Sequence, residues 1–378
     1  MSELRYTLKK KHGEARRGEF RARSGVFQTP TFMPVGTKAS VKGVDVERLA
    51  ECGASVMLVN TYHLWLRPGH ERIKKVGGIH NFSGWKGPIL SDSGGYQVFS
   101  LKGIRSITEE GVEFRSHLDG SKQFLSPEKS IEVQQTMGVD IAMALDECPS
   151  STLDFGTIEK SLAMTLRWAK RSLNARTDPE MCMFGITQGA LHRELRTRSA
   201  EQIREIPFDG YAIGGLSVGE PKGDMYEVLG YHTAQLPDTH IRYLMGVGTP
   251  EDIIEAVSQG VDIFDCVMPT RSGRFGRVFV DAEPPFFNIK NSQFAEDTGP
   301  IDPKCRCIAC RIYSRAYIQH LFKVGEMLGP QLASIHNLTH YLDFMSRIRA
   351  SIEEGSFDQL YRSIKMRWAN FDLHSLAS

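Results

Sequence analysis

The chain has 378 residues, 41% of them hydrophobic and 24% charged, with a formal net charge of +1. That composition excludes a disordered or low-complexity chain. The balanced charge excludes a globally basic nucleic-acid binder, so any such contact must come from a local basic patch. No run reaches the roughly 18 apolar residues of a membrane span, and MSELRYTLKKKHGEARRGEF lacks the apolar segment of a secretion signal. A cytoplasmic protein with no membrane partner is expected.

Residues 1–28, where LRYTLKKK and EFRARSGVFQ flank a polar turn, predict a hairpin cap. Short apolar runs then alternate with helix-like stretches. The candidate strands are TPTFMPVG from Thr29, ASVMLVN ending at Asn60, GPILSD ending at Asp92, IAMALDE ending at Glu147, MFGITQG ending at Gly189, GYAIGG ending at Gly215, RYLMGVG ending at Gly248 and IFDCVMP ending at Pro269. Between strands, Ser126-Pro127-Glu128 and Thr249-Pro250-Glu251 read as helix starts, with a hydroxyl cap and proline in the first turn.

Eight strand-helix pairs predict an α/β fold, a (βα)8 TIM barrel over 29–270 closed by C-terminal helices in 346–378. A doubly wound open sheet is the competing arrangement. In a barrel the C-terminal strand ends share one mouth, which makes Asn60, Asp92, Asp146, Gln188 and Asp265 candidates for a single site. Residues 271–345 lose the alternation and are expected to form an inserted subdomain after strand eight.

Three of the seven cysteines crowd into that segment. An odd count without a secretion signal is a poor disulfide framework and a better metal site. Cys305-x-Cys307-x-x-Cys310, followed after 25 residues by His336, supplies three thiolates and an imidazole. Zn2+ takes such a set tetrahedrally, and a closed shell leaves no place for water, so one structural zinc per subunit is expected. His320 and His340 compete for the fourth place. HNLTHY, expected to open a helix with its first residue turned back to the loop, favours His336.

Asp92 in SDSGGYQ ends a strand just before glycines that let the backbone turn tightly. Asp265 in IFDCVMP interrupts an apolar strand, where an unpaired charge is costly. Two carboxylates facing one sugar can break a glycosidic bond by double displacement, one as nucleophile and one moving protons. Either aspartate taken singly could instead cap a helix or pair with an arginine.

SDSGGYQVFS, ALDEC, FGITQG, DGYAIGGLSVGE, YLMGVG and FDCVMPTRSGR, followed by the cysteine triplet and a distant histidine, resemble in that order the motifs of bacterial tRNA-guanine transglycosylases, over nearly the whole chain. The resemblance implies a TIM-barrel enzyme that exchanges guanine at the wobble position of GUN-anticodon tRNAs. Asp265 is then implied to attack C1′ of the ribose, and Asp92 to transfer protons as one base leaves and the other enters. Asp146 is implied to accept from the N1 and amino edge of the base, with Gln188 and the backbone at Gly215 addressing O6. Tyr96 and Met245 are implied to cover the ring faces, and Ser93, Gly94, Gly95, Gly214 and Leu216 to complete the pocket. Cys148 and Val218 match the pocket type that takes 7-aminomethyl-7-deazaguanine (preQ1) or guanine rather than the larger queuine.

A base in an anticodon loop must be turned out before its glycosidic bond is reached, which calls for a grip on the RNA backbone beside the mouth. TRSGRFGR brings Arg271, Arg274 and Arg277 close behind Asp265, and Lys290, Lys304, Arg306, Arg311 and Arg315 follow. These are the candidate phosphate contacts. Thr270, Ser272 and Gly273 belong to the same segment. The resemblance adds the loop Gly246, Val247, Gly248, Thr249, Pro250, Glu251 and Asp252, although some relatives carry lysine at the place of Thr249. It further implies a homodimer, with part of the zinc region at the interface. A glycoside hydrolase would leave the cysteine cluster and the base-reading acid unexplained. A noncatalytic tRNA-binding subunit would not need both acids. An archaeosine-type relative would be expected to carry further C-terminal RNA-binding domains.

Overall fold

The computed structural model describes residues 5–100 and 105–371. Eight parallel strands form its centre: β1 (Thr31–Met33 with Val35–Gly36), β2 (Met57–Val59), β3 (Ile89–Ser91), β4 (Ile141–Met143), β5 (Cys182–Thr187), β6 (Gly210–Ile213), β7 (Ile241–Leu244) and β8 (Ile263–Asp265). Each pairs with its successor, and β8 returns to β1 with Ile263 opposite Thr31 and Asp265 opposite Met33. β1 is interrupted at Pro34, which lacks an N–H but still accepts from the Leu58 amide at 3.0 Å. The ring is therefore closed. The expected α/β barrel is present, and the open-sheet alternative is excluded because an open sheet has two unpaired edges.

Side-chain alternation along each strand decides what reaches the mouth. On β5, Cys182, Phe184 and Ile186 fill the barrel interior, while Met183 faces the surrounding helices. The same parity runs through Leu90 on β3, Ile241 and Tyr243 on β7, and Ile263 on β8. Two residues beyond these inward positions stand Asp92, Gln188, Met245 and Asp265. The interior packing thus aims those four side chains at the mouth.

The opposite end of the barrel is plugged by the N-terminal segment. The anticipated hairpin continues into a third strand, so that Tyr6–His12, Ala15–Ala22 and Gly25–Thr29 form an antiparallel sheet. Tyr6, Phe20 and Phe27 project from it into the barrel interior, Phe20 meeting Phe184 edge-on at 5.5 Å between ring centroids. Beneath them is a polar layer. Asp262 accepts from the Tyr6 hydroxyl at 3.1 Å and the Arg242 amide at 2.8 Å, and lies 3.3 Å from Arg16 Nε.

Both expected helix starts are present. Ser126 Oγ accepts from the Lys129 amide to open Pro127–Met137, and Thr249 Oγ1 accepts from the Asp252 amide to open Pro250–Ser258. A second small antiparallel sheet, Arg105–Ile107, Val112–Arg115 and Lys122–Leu125, lies between β3 and Pro127–Met137. The sequence reading did not anticipate it, because strands of three and four residues carry too little periodicity to stand out.

After β8 comes the helix Met268–Arg274, then the ribbon of Arg277–Phe279 with Phe286–Asn288, two short helices, the 27-residue helix Leu328–Glu354 and the helix Phe357–Trp368. Leu328–Glu354 is continuous through residues 345 and 346 and carries a buried face along most of its length. Met268–Arg274 packs against it so closely that a side chain at Gly273 would meet the Ser334 backbone at 2.7 Å. None of the described helices is long and apolar enough to cross a membrane.

Candidate active site

At the mouth is a cavity of about 460 Å³ whose lining includes Asn60, His63, Asp92, Tyr96, Asp146, Cys148, Gln188, Gly214, Gly215, Leu216, Met245, Gly246 and Asp265. Asp92 and Asp265, 173 positions apart in sequence, meet on this one space. Asp92 is held by neutral donors: Asn60 Nδ2, the amides of Thr61 at 2.9 Å and Gly94 at 3.2 Å, and Gln97 Nε2 at 3.3 Å. Burial pushes its pKa up to about 7, and the nearby Asp265 charge adds to the rise against those backbone donors. Such a carboxyl can give or take a proton near neutral pH.

Asp265 receives the Tyr243 hydroxyl at 2.6 Å and the Gly246 amide at 2.8 Å, both on Oδ1. Burial raises its pKa as well, opposed by these two donors. With Oδ1 so anchored, no bond among the described residues occupies Oδ2, and the side chain lines the cavity. Tyr243 was missed in the sequence reading. The signal was its place two residues before Met245, a hydroxyl-bearing ring at an inward position of an apolar strand.

Asp146 reaches the cavity by a different route. By strand parity it would point outward, but β4 ends at Met143 and the chain then leaves the ladder, with the Leu145 and Glu147 amides bonded to the hydroxyls of Ser172 and Thr165. Gln188 Nε2 donates to Asp146 at 2.6 Å, and burial pushes Asp146 up to about 6 against that bond. Gln188 Oε1 is buried without a partner among the described residues. Gly215, at φ +66, lies so close that a Cβ there would meet Gln188 Oε1 at 2.3 Å.

Tyr96, 59% exposed, and half-buried Met245 line the same cavity. Cys148 also lines it, and burial pushes its thiol up to about 12, which keeps it neutral. Val218 does not: it lies in an exposed loop whose amides at 217 and 218 are bonded by Glu220. Ser93, Gly94 and Gly95 stand behind the wall, with the Ser93 hydroxyl receiving the Gly95 amide and the Ser93 carbonyl receiving Ser130. His63, Gln97 and Thr37, unremarked in the sequence, also line it.

The expected RNA-facing residues separate into two groups. Gly246, Arg271, Ser272 and Arg274 retain surface, and neither arginine has a carboxylate partner among the described residues. Val247, Gly248, Thr249, Pro250, Asp252, Thr270 and Gly273 are buried. Thr249 is committed to its cap, Asp252 accepts the Tyr226 hydroxyl at 2.7 Å, and Glu251 pairs with Lys222 and Lys365. Arg306 and Arg315 are likewise committed, to Asp343 and Asp297, while Arg277 lies over the Phe286 ring. Lys290, Lys304 and Arg311 are exposed.

Cys305, Cys307, Cys310 and His336 bring four ligand atoms within 4.8 Å of one another. His336 Nε2 bonds the Phe279 carbonyl at 2.6 Å, which fixes that nitrogen as the donor and turns Nδ1 to the thiols, 3.2 Å from Cys310 Sγ. Ligands at zinc bond lengths sit roughly 3.5–3.8 Å apart in a tetrahedron, so the cluster needs only small adjustments around an ion. Of the competing histidines, His320 is exposed and His340 stacks on Phe279, with its ring centroid 6.4 Å from that of His336.

The sequence matches the family described as queuine tRNA-ribosyltransferase over residues 11–370. It is 50% identical over 357 residues to the queuine tRNA-ribosyltransferase of Francisella tularensis subsp. novicida (strain U112), covering 94% of this chain and 97% of that protein. To that of Saccharophagus degradans (strain 2-40 / ATCC 43961 / DSM 17024) it is 50% identical over 356 residues, covering 94% and 95%. With matches of this extent, the chain belongs to the queuine tRNA-ribosyltransferase family.

Proposed function

We propose that the protein is a tRNA-guanine transglycosylase that replaces guanine at the wobble position of tRNAs with GUN anticodons (Asp, Asn, His and Tyr) by preQ1, in queuosine synthesis, through a covalent ribosyl-enzyme. The observation that carries this reading is the convergence of Asp92 and Asp265 on one cavity beside Asp146 and Gln188. Asp265 Oδ2 attacks C1′ as the C1′–N9 bond breaks, and Asp92 delivers a proton to the departing guanine. The incoming base then gives its N9 proton to Asp92 and attacks C1′, releasing Asp265. Two inversions retain the configuration.

Asp146 accepts from the donor edge of the base, Gln188 and the Gly215 amide address O6, and Tyr96 and Met245 hold the ring between them. Cys148 leaves the neutral, compact wall that suits an aminomethyl substituent. Arg271 and Arg274, on the helix that follows β8, supply the grip on anticodon-loop phosphates. Cys305, Cys307, Cys310 and His336 would hold one zinc, which when bound cross-links the cysteine loop to Leu328–Glu354; a four-ligand shell has no position for substrate. We propose further that the enzyme acts in the cytoplasm as a homodimer with part of the zinc region at the interface. Incubation with unmodified tRNA and preQ1, followed by mass analysis of the anticodon nucleosides, tests the activity. Conversion at the wobble nucleoside is expected, and no conversion, or conversion elsewhere, would overturn the reading.

A further inference from the structure

Arg196 lies wholly buried directly behind the base pocket, with no carboxylate at ion-pair distance among the described residues. Its three nitrogens go instead to backbone carbonyls: Nε to Ala190 at 2.7 Å, Nη1 to Thr187 at 3.5 Å and Nη2 to Gly215 at 3.3 Å. Those carbonyls close the ends of β5 and β6, the two strands that deliver Gln188 and Gly215 to the cavity. The other fully buried arginines behave differently, since Arg16 and Arg242 both reach Asp238 and Arg16 also reaches Asp262. A buried guanidinium without a counter-ion is costly to maintain. Burial lowers its pKa only to about 10, so it stays charged at neutral pH.

We propose that Arg196 is a positioning residue for base exchange, which orients the Gly215 peptide and places a fixed positive charge behind the O6 end of the base. The proposal rests on the exchange reading above. As the C1′–N9 bond breaks, its electron pair goes to the purine and spreads toward O6, while an Asp265 oxygen forms the new bond to C1′ and Asp92 returns a proton to the base. Charge developing toward O6 meets a pre-placed cation that needs no rearrangement. Binding of the neutral base gains less from that charge than the transition state does.

The test compares Arg196→Met and Arg196→Lys with the unaltered enzyme in guanine exchange, each first shown by circular dichroism and thermal melting to be folded. Arg196→Met is expected to lower kcat by about 10²-fold with KM for tRNA within about threefold, and Arg196→Lys to recover most of the loss. The deficit of Arg196→Met should shrink for 8-azaguanine, whose ring anion is more stable than that of guanine. Folded Arg196→Met with unchanged kcat, or with an equal deficit for both bases, would overturn the proposal. If Arg196→Met does not fold, the comparison of bases is made with Arg196→Gln, which also removes the charge, and an equal deficit again overturns it. Failure of the unaltered enzyme to exchange any base would instead defeat the transglycosylase reading.

Discussion

The two ends of the barrel treat buried carboxylates in opposite ways. At the plugged end Asp262 is opposed by the charges of Arg16 and Arg242, and Asp140 receives His80 Nε2 at 2.9 Å together with the Ser24 and Ile89 amides, each at 2.8 Å. At the mouth, the hydrogen-bond donors to Asp92, Asp146 and Asp265 among the described residues are amides, a hydroxyl and carboxamides. Burial raises Asp262 too, but there Arg16 and Arg242 counter it, whereas at the mouth, among the described residues, the opposing groups are neutral hydrogen-bond donors. One end spends its charged groups on cohesion, and the other keeps carboxyls poised to react. That division matches the separation of stability and chemistry between the two faces of such barrels.

The widest test of this contrast exchanges the same atoms at each end. Asp265→Asn removes the oxygen proposed to attack C1′ and is expected to lower guanine exchange by about 10⁴-fold or more. It should leave the urea midpoint unchanged or higher, because it removes an unpaired buried charge. Asp262→Asn should do the reverse. Leaving Arg16 and Arg242 undercompensated is expected to cost about 3–5 kcal/mol in urea unfolding, with kcat of the remaining folded protein little altered. A large stability loss in Asp265→Asn would remove the distinction between the ends.

The plugged end was the harder one to foresee. The pairing of Arg16 with Asp262 spans 246 positions, and only closure of the ring brings the N-terminal sheet beneath β7 and β8. The mouth was more legible because strand parity is local. Asp92 lies two residues beyond inward-facing Leu90, and Asp265 two beyond Ile263, so each alternation can be counted from the sequence. Asp146 breaks that parity, and its entry to the cavity depends on hydroxyls from a helix some 20 residues downstream. The burial of most of the 246–252 loop was hidden for a related reason: a capping threonine, a first-turn proline and an acid that bonds a tyrosine look polar in sequence yet are consumed by the fold.

A smaller effect sharpens the comparison through pH. The Asp92 pKa in the folded protein, about 7, lies above its ordinary 3.8. Its contribution to stability is therefore fully present below pH 3.8 and is lost as pH rises through about 7. Relative to Asp92→Asn, the unaltered protein should lose on the order of 1–3 kcal/mol between pH 4 and 8. Thermal melts of the pair across that range measure it, and parallel curves would contradict an elevated pKa. Because the Asp265 charge contributes to the rise, Asp92 should titrate lower in Asp265→Asn.

The smallest expected effect carries the paired-against-unpaired contrast to the surface around the mouth. Arg274 has no carboxylate partner among the described residues and sits beside Arg271, whose charge works against its own. An anionic ligand relieves that repulsion, so Arg274 gains from a phosphate what the protein itself does not supply. Arg306 already spends its guanidinium on Asp343 and on the carbonyls of Glu51 and Cys52. Arg274→Ala should thus weaken tRNA binding by about tenfold at moderate salt and reduce the slope of log affinity against log salt by about one. Arg306→Ala should leave that slope unchanged, because forming a phosphate contact there would first require breaking bonds of equal kind. Filter binding of both variants across a salt series separates these outcomes, and equal slopes for the two would show that internal pairing does not decide which arginines grip the RNA.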